Sequence, residues 1–237
     1  RRSVETSLRL LKTDYLDVVL VHDPDELEPV MAPGGALEAL QQMKAQGVIR
    51  AIGLGVRSHE LHRRCIETGQ FEVSLTYRDY NLLDQSAARD ILPLASEHGV
   101  GLLNGTPTIK GLLAGKDPSE VTRKGMVAVS RHDRHAYSVH PEQARLARRL
   151  WEWANDRAIG LLALNLQFCL REHRIASTLV GASTPEQIQA DVAAVEQLIP
   201  ERVWQELHQE VGLPKAVTRL TSIIRVSSDA KPSEETT

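Results

Sequence analysis

Apolar residues along this chain alternate between a helical rhythm and short continuous runs. Val4, Leu8 and Leu11 recur at helical spacing. The stretch Asp17-Val18-Val19-Leu20-Val21-His22-Asp23-Pro24 then sets four apolar residues side by side, three of them β-branched. Such a run predicts a strand over 15–22 covered on both faces, as strands in parallel sheets are. A histidine stands where that strand ends, and a proline turns the backbone away. A titratable side chain at the carboxyl end of a buried parallel strand is where α/β barrels place their chemistry. A histidine that only caps the strand and bonds a neighbour is the plainer reading.

The same alternation continues. An acid- and proline-rich loop spans 23–35, and a helix over 36–46 puts Leu37, Leu40 and Met43 on one stripe before Gly47 ends it. Strands are predicted at 48–56, 71–77, 100–104 and 177–181, and helices at 58–68, 86–98, 141–157, 161–172, 185–198 and 200–211. Residues 106–140 lack apolar periodicity, and 226–237 form a polar tail expected to be disordered. Strand and helix alternating through short, glycine-stopped connections predict βαβ units and a parallel sheet.

Five strands are counted, which leaves two topologies. A closed (β/α)₈ barrel takes eight strands and about 250 residues; a doubly wound open sheet can stop at five or six. No G-x-G-x-x-G follows any strand, so a Rossmann nucleotide site has no support. The chain opens inside a helical pattern, from which part of a longer protein is expected: an α/β fold, an incomplete barrel.

Composition narrows the function classes. The 237 residues are 42% hydrophobic and 25% charged with a net charge of -3, a globular balance offering no basic surface for nucleic acid. No apolar run approaches the ~18 residues of a membrane span. Cys65 and Cys169 are far apart and outside any CxxC. They read as reduced thiols of a cytoplasmic protein, a single disulfide remaining open. The group His132, Asp133, His135 and His140 has no metal-ligand spacing and reads as solvated.

Four segments together resemble the aldo-keto reductase family, from about Arg2 to Leu213. They are Ser7-Leu8-Arg9-Leu10-Leu11 leading into Tyr15-Leu16-Asp17 and Leu20-Val21-His22; Gly47-Val48-Ile49-Arg50-Ala51-Ile52-Gly53; Tyr80-Asn81-Leu82-Leu83-Asp84; and Val180-Gly181-Ala182-Ser183-Thr184-Pro185-Glu186-Gln187. Val21-His22-Asp23-Pro24-Asp25 is most similar to the branch of aldose 1-dehydrogenases, which act on D-threo-aldoses, L-fucose or L-galactose. The resemblance implies a (β/α)₈ TIM barrel of which residues 1–225 supply strands 4 to 8 with their helices. It implies hydride transfer between NAD(P) and an aldose, oxidised at C1 to a lactone, or an aldehyde.

Within that family an aspartate, a tyrosine, a lysine and a histidine form the catalytic set. Only the histidine has a counterpart here, His22, so the chain alone is expected to be inactive. A neutral imidazole on a strand end can donate one hydrogen bond and orient the substrate oxygen. Tyr15, Tyr77, Tyr80 and Tyr137 do not stand in for the missing tyrosine; Tyr80 is a candidate lining residue of the substrate pocket, or a packed rim aromatic.

The resemblance places cofactor contacts at Gly105, Thr106, Gly181, Ala182, Ser183, Gln187 and Asp191. Gly181-Ala182-Ser183 ahead of a helix supplies N–H groups suited to a phosphate. NADP-preferring members carry a cation there, whereas this chain has Gly181 and Gln187, with Asp191 where an asparagine is usual. NAD is therefore expected over NADP. Three nicotinamide-side positions depart from the pattern: a Ser-Asn pair becomes Gly55-Val56, a glutamine becomes Tyr77, and a stacking aromatic becomes Gly105. Two alternatives stay open, a non-catalytic truncated paralogue acting as a binding or regulatory protein, and a different barrel enzyme using His22 as a base. No oligomeric state is read from the sequence.

Overall fold

A computed structural model describes residues 1–123 and 139–212. The elements run α1 (Arg2–Leu11), β1 (Leu16–His22), α2 (Glu28–Met31), α3 (Ala36–Ala45), β2 (Ile49–Gly55), α4 (His59–Glu67), β3 (Val73–Tyr77), α5 (Ser86–Asp90), α6 (Leu92–Glu97), β4 (Gly101–Gly105), α7 (Pro118–Arg123), α8 (Pro141–Asn155), α9 (Leu161–Leu170), β5 (Ile175–Leu179), α10 (Pro185–Glu196) and α11 (Glu201–Val211). The 226–237 tail, Tyr137 and the group His132, Asp133 and His135 lie outside the described residues. His140 serves as the N-cap of α8, where its Nδ1 accepts the Glu142 N–H.

The five strands are parallel and lie in the order β1-β2-β3-β4-β5. A doubly wound sheet reverses its order at a switch point; this one never does, which is the winding of a barrel. Side chains alternate across it. Ser74 and Thr76 on β3 and Leu102 and Asn104 on β4 are buried, facing the helices. Their neighbours Val73, Leu75, Tyr77 and Leu103 face the other way and are only half-buried. His22, Gly53, Gly55, Gly105 and Leu179 belong by register to this second face.

Two large apolar clusters and a small third one, of Ala163, Leu166 and Ala194, form the core of the described residues. One large cluster gathers Leu27, Leu37, Leu40, Ile52, Leu54 and Phe71; the other gathers Leu92, Leu102, Leu150, Leu164 and Phe168. Cys65 and Cys169 are free and buried, and burial pushes both thiols up to about 12. Exposed apolar residues collect at the two ends of the sheet: Leu10, Leu11 and Val18 by β1, and Leu179, Val180, Ile188, Val192 and Val195 by β5.

Four elements differ from the pattern-based expectation. The 86–98 helix breaks at Ile91 into α5 and α6 because Pro93 has no N–H to continue the ladder. Short helices α2 and α7 form inside stretches expected to be loop, each with a proline in its first turn, where its fixed φ suits the helix. The last strand occupies 175–179, not 177–181. Its partner β4 ends at Gly105, paired with Leu179, and Thr106 then turns left-handed (φ 53), so Val180 finds no ladder.

Helix α4 carries two histidines with opposite roles. His59 is held between two carboxylates, Nε2 to Asp79 Oδ2 at 2.8 Å and Nδ1 to Asp90 Oδ2 at 2.9 Å. The hydrogen bond to buried Asp79 raises its pKa above the ordinary 6.5, against the opposing effect of burial. His62 is buried between Ser74 and the Val56 carbonyl, and desolvation lowers its pKa. A raised histidine stabilises the fold fully below its unfolded pKa, and that contribution fades as pH climbs through the folded value. A lowered one works in reverse, costing stability as pH drops below the unfolded value. Urea midpoints should therefore peak near neutral-to-mildly acidic pH, and His59→Gln should flatten the alkaline limb while leaving the acid limb in place.

Candidate functional site

All five strands point their carboxyl ends to one rim. His22 closes β1, Gly55 closes β2, Tyr77 closes β3, Gly105 closes β4 and Leu179 closes β5. Backbone hydrogen bonds extend the rim by a residue: Asp23 N–H donates to the Gly55 carbonyl at 2.7 Å, Val56 N–H to Leu75 at 3.1 Å and Arg78 N–H to Gly105 at 3.0 Å. Asp23, Arg78 and Thr106 all take positive φ there, turning the chain sharply out of the sheet.

His22 projects from this rim with its side chain 81% exposed. Its Nδ1 faces Asp23 Oδ2 at 3.7 Å, and the other oxygen of that carboxylate accepts from the Tyr77 hydroxyl at 3.4 Å. Burial, with the negative Asp23 beside it, lifts the Tyr77 pKa above the ordinary phenol value. The Arg78 guanidinium lies 5.0 Å from the centre of the Tyr77 ring. Gly105, the register partner of Tyr77, is held small by strand β3: a Cβ there would meet Tyr77 Cβ at 3.1 Å and the Thr76 carbonyl oxygen at 3.3 Å. The loops behind the rim are pinned by Asn165, which accepts the Leu82 N–H and donates to the Pro107 carbonyl, both at 3.1 Å.

The expected residues divide into those brought to the rim and those that are not. His22, Gly105 and Thr106 share it, and Gly181 follows two residues beyond the end of β5, four strands from His22. Gly181 has open space around it. The Ser183 N–H, expected to be available to an anion, is taken by Gln187 Oε1 at 2.6 Å. Asp191 borders an apolar groove of about 280 Å³ between α9, β5 and α10, and desolvation raises its pKa.

Of the two readings left open for Tyr80, the packed one fits its place, in the helix layer and not on the rim. Its ring is 1% exposed and stacks on Phe168 of α9 at 5.5 Å, on the helix side of the sheet. The left-handed turn at Arg78 (φ 67) carries the chain over the outer face, where Asn104 Nδ2 holds the Tyr80 carbonyl at 3.0 Å. Burial pushes its hydroxyl well above the ordinary phenol range, and it borders a side cavity of about 320 Å³ rather than the rim. Two rim residues that the sequence reading left without a role, Asp23 and Tyr77, stand next to His22 instead. The register that joins them is tertiary, and the only sequence signal was the adjacency of Asp23 to His22.

Comparison with known proteins agrees with this geometry. The aldo/keto reductase family model matches residues 1–210. The chain is 29% identical over 218 residues to D-threo-aldose 1-dehydrogenase of a Pseudomonas species, covering 90% of this chain and 62% of that protein. It is 29% identical over 221 residues to pyridoxal 4-dehydrogenase of Microbacterium luteolum, covering 88% and 60%. L-galactose dehydrogenase of Arabidopsis thaliana matches at 29% over 218 residues, covering 89% and 62%. Among solved structures, an aldo-keto reductase from Bacillus halodurans in its holo form superposes with a TM-score of 0.66 at 26% identity, covering 92% of this chain and 65% of that one. The chain thus spans about three fifths of the length of these curated relatives. A family model covering most of the chain, on a sequentially wound parallel sheet with a histidine at its carboxyl rim, leaves one assignment: the chain belongs to the aldo/keto reductase family.

Proposed function

We propose that this chain carries the histidine-bearing part of a nicotinamide-dependent oxidoreductase acting on an aldose or a small aldehyde. The observation that carries the reading is His22 at the carboxyl end of the first strand of a sequentially wound parallel sheet. Among the described residues the sheet has five strands with β1 and β5 as edges, and exposed apolar residues flank both. Exposed apolar residues gathered at both edges suit an interaction site. On this reading it is the seam where three further βα units of a C-terminally placed fragment's parent complete the barrel.

The nicotinamide would supply hydride chemistry. Of the residues present, Gly105 and Thr106 suit its flat ring end, and Gly181, Ala182 and Gln187 suit the adenosine end, with open space at Gly181 supporting the fit. His22 orients the substrate oxygen. Tyr77 is the described tyrosine at this rim, yet burial moves its pKa away from neutrality, opposite to what a proton-transferring group needs. The proton relay is therefore absent from the described residues, and the chain alone should not turn over. A non-catalytic binding role for the chain by itself is the second reading, favoured by that same absence.

No lysine or arginine occupies Gly181 or Gln187, and the nearby Asp191 would oppose a 2′-phosphate. NAD should bind more tightly than NADP. Fluorescence titration of the reduced cofactors decides it, and tighter NADP binding would remove the preference.

A further inference from the structure

The side cavity of about 320 Å³ lies on the helix side of the sheet, between the 83–85 turn, α5 and the end of α9. That volume is at the small end of the range for sites that hold organic molecules. Leu83, Ala88 and the Phe168 ring give it an apolar wall, and Tyr80, 1% exposed and stacked on Phe168, borders it. The hydrogen bonds of Tyr80 run through its carbonyl, which accepts from Asn104 Nδ2 and from Cys169 Sγ. Its hydroxyl makes none among the described residues, although a buried tyrosine O–H ordinarily finds a partner. Burial, and after it the negative Glu172, keep that hydroxyl protonated, so it is a hydrogen-bond donor with nothing of the protein to donate to.

The charged groups of the lining cancel. Glu172 is 2% exposed, and Arg174 engages both its oxygens: Oε1 accepts Nε at 2.8 Å and the backbone N–H at 3.1 Å, and Oε2 accepts Nη2 at 2.7 Å. A buried pair satisfied in this way is held in place and carries no net charge. Asp84, which accepts the Ser86 N–H at 2.9 Å, and Arg89 of α5 add one charge of each sign. An ion entering the cavity therefore meets a like charge as well as an opposite one.

We infer that this cavity is a second ligand site, apart from the carboxyl rim, for a small uncharged aromatic molecule that sets one oxygen against the Tyr80 hydroxyl. A flat ring suits the wall of Leu83, Ala88 and Phe168, where aromatic contact adds to the area buried. The single oxygen satisfies the donor that the fold leaves over. The inference does not rest on the function proposed above, which assigns cofactor and substrate to the opposite face of the sheet and its rim.

Benzyl alcohol is the probe, with benzoate and benzylamine as its anionic and cationic counterparts of similar size. Titration of the 237-residue chain, followed by saturation-transfer NMR, should give a Kd of about 1 mM for the alcohol, the scale that about eight non-hydrogen atoms support. Both ions should bind more weakly. Tyr80→Phe keeps the stacked ring and removes only the hydroxyl, so it should weaken the alcohol about three- to tenfold, the worth of one hydrogen bond, and leave the urea midpoint in place. Ala88→Phe, which puts a ring into the cavity from α5, should abolish binding, and His22→Gln at the rim should leave the Kd unchanged. The assignment is overturned by the absence of saturable binding, by either ion binding more tightly than the alcohol, or by a Kd that Tyr80→Phe leaves unmoved. A Kd that His22→Gln raises would place the molecule at the rim and overturn it as well.

Discussion

Gly53→Ala should cost the chain about 3 kcal/mol, at the upper end of what overpacking in a sheet interior produces. Gly53 lies in the middle of β2, paired with Leu20 on one side and Val73 on the other. A Cβ added there runs into the Leu20 side chain and comes within 2.6 Å of the Val73 carbonyl oxygen and 3.0 Å of Val73 Cβ. Leu20 can rotate away, since it is only half-buried, but the Val73 carbonyl is backbone and moves only with β3. The usual gain from replacing glycine, about 0.4–1 kcal/mol through the unfolded chain, is too small to offset this. Gly101→Ala makes the matched control, because its Cβ would find Glu72 O at an ordinary 3.7 Å. Urea unfolding of the two variants should show a large drop for the first and little change for the second. Equal midpoints would mean that β2 and β3 are not held in the register described.

His22→Gln should do the opposite: leave stability unchanged and, on the function proposed above, abolish most of the activity of a polypeptide that completes the barrel. Its side chain is 81% exposed and the Asp23 carboxylate lies 3.7 Å away, beyond hydrogen-bond distance, so little folding energy depends on it. Removing a side chain that polarises or orients the reacting oxygen costs about a hundred- to a thousandfold in kcat. Measured in a polypeptide that supplies the remaining strands, kcat/KM with an aldose should fall by that order while the urea midpoint stays. A fall in both together would make His22 a structural residue.

Periodicity and glycine stops carried most of the architecture. Strand runs such as Val18–Val21, and helix stripes such as Leu37, Leu40 and Met43 ended by Gly47, are local signals that tertiary packing had no cause to override. The sequential strand order was not in the pattern, because five buried strands look alike whichever way they wind; register settled it. Boundaries slipped where a partner strand decided them, as at Val180, or where a proline cut a continuous apolar stripe, as at Pro93.

For the site, His22 was readable because a strand signal ends on it. Asp23 and Tyr77 were not, since 54 residues separate the two groups that meet there. Tyr80 stayed open between two readings because a tyrosine just past a strand suits a pocket rim and a core equally well. The left-handed Arg78, which sends it to the core, leaves no mark in the pattern. The pairing of His59 with Asp79 and Asp90, 20 and 31 residues away, has no sequence signal at all.

The most direct test is reduced-nicotinamide absorbance with NAD and a panel of aldoses, run on the 237-residue chain and on the same chain joined to an aldo/keto reductase segment chosen to supply three more strands with an aspartate, a tyrosine and a lysine. The longer protein should form reduced cofactor and the 237-residue chain should stay at the buffer blank. Sustained turnover by the shorter chain would contradict the proposal that its rim holds only the histidine of the catalytic set.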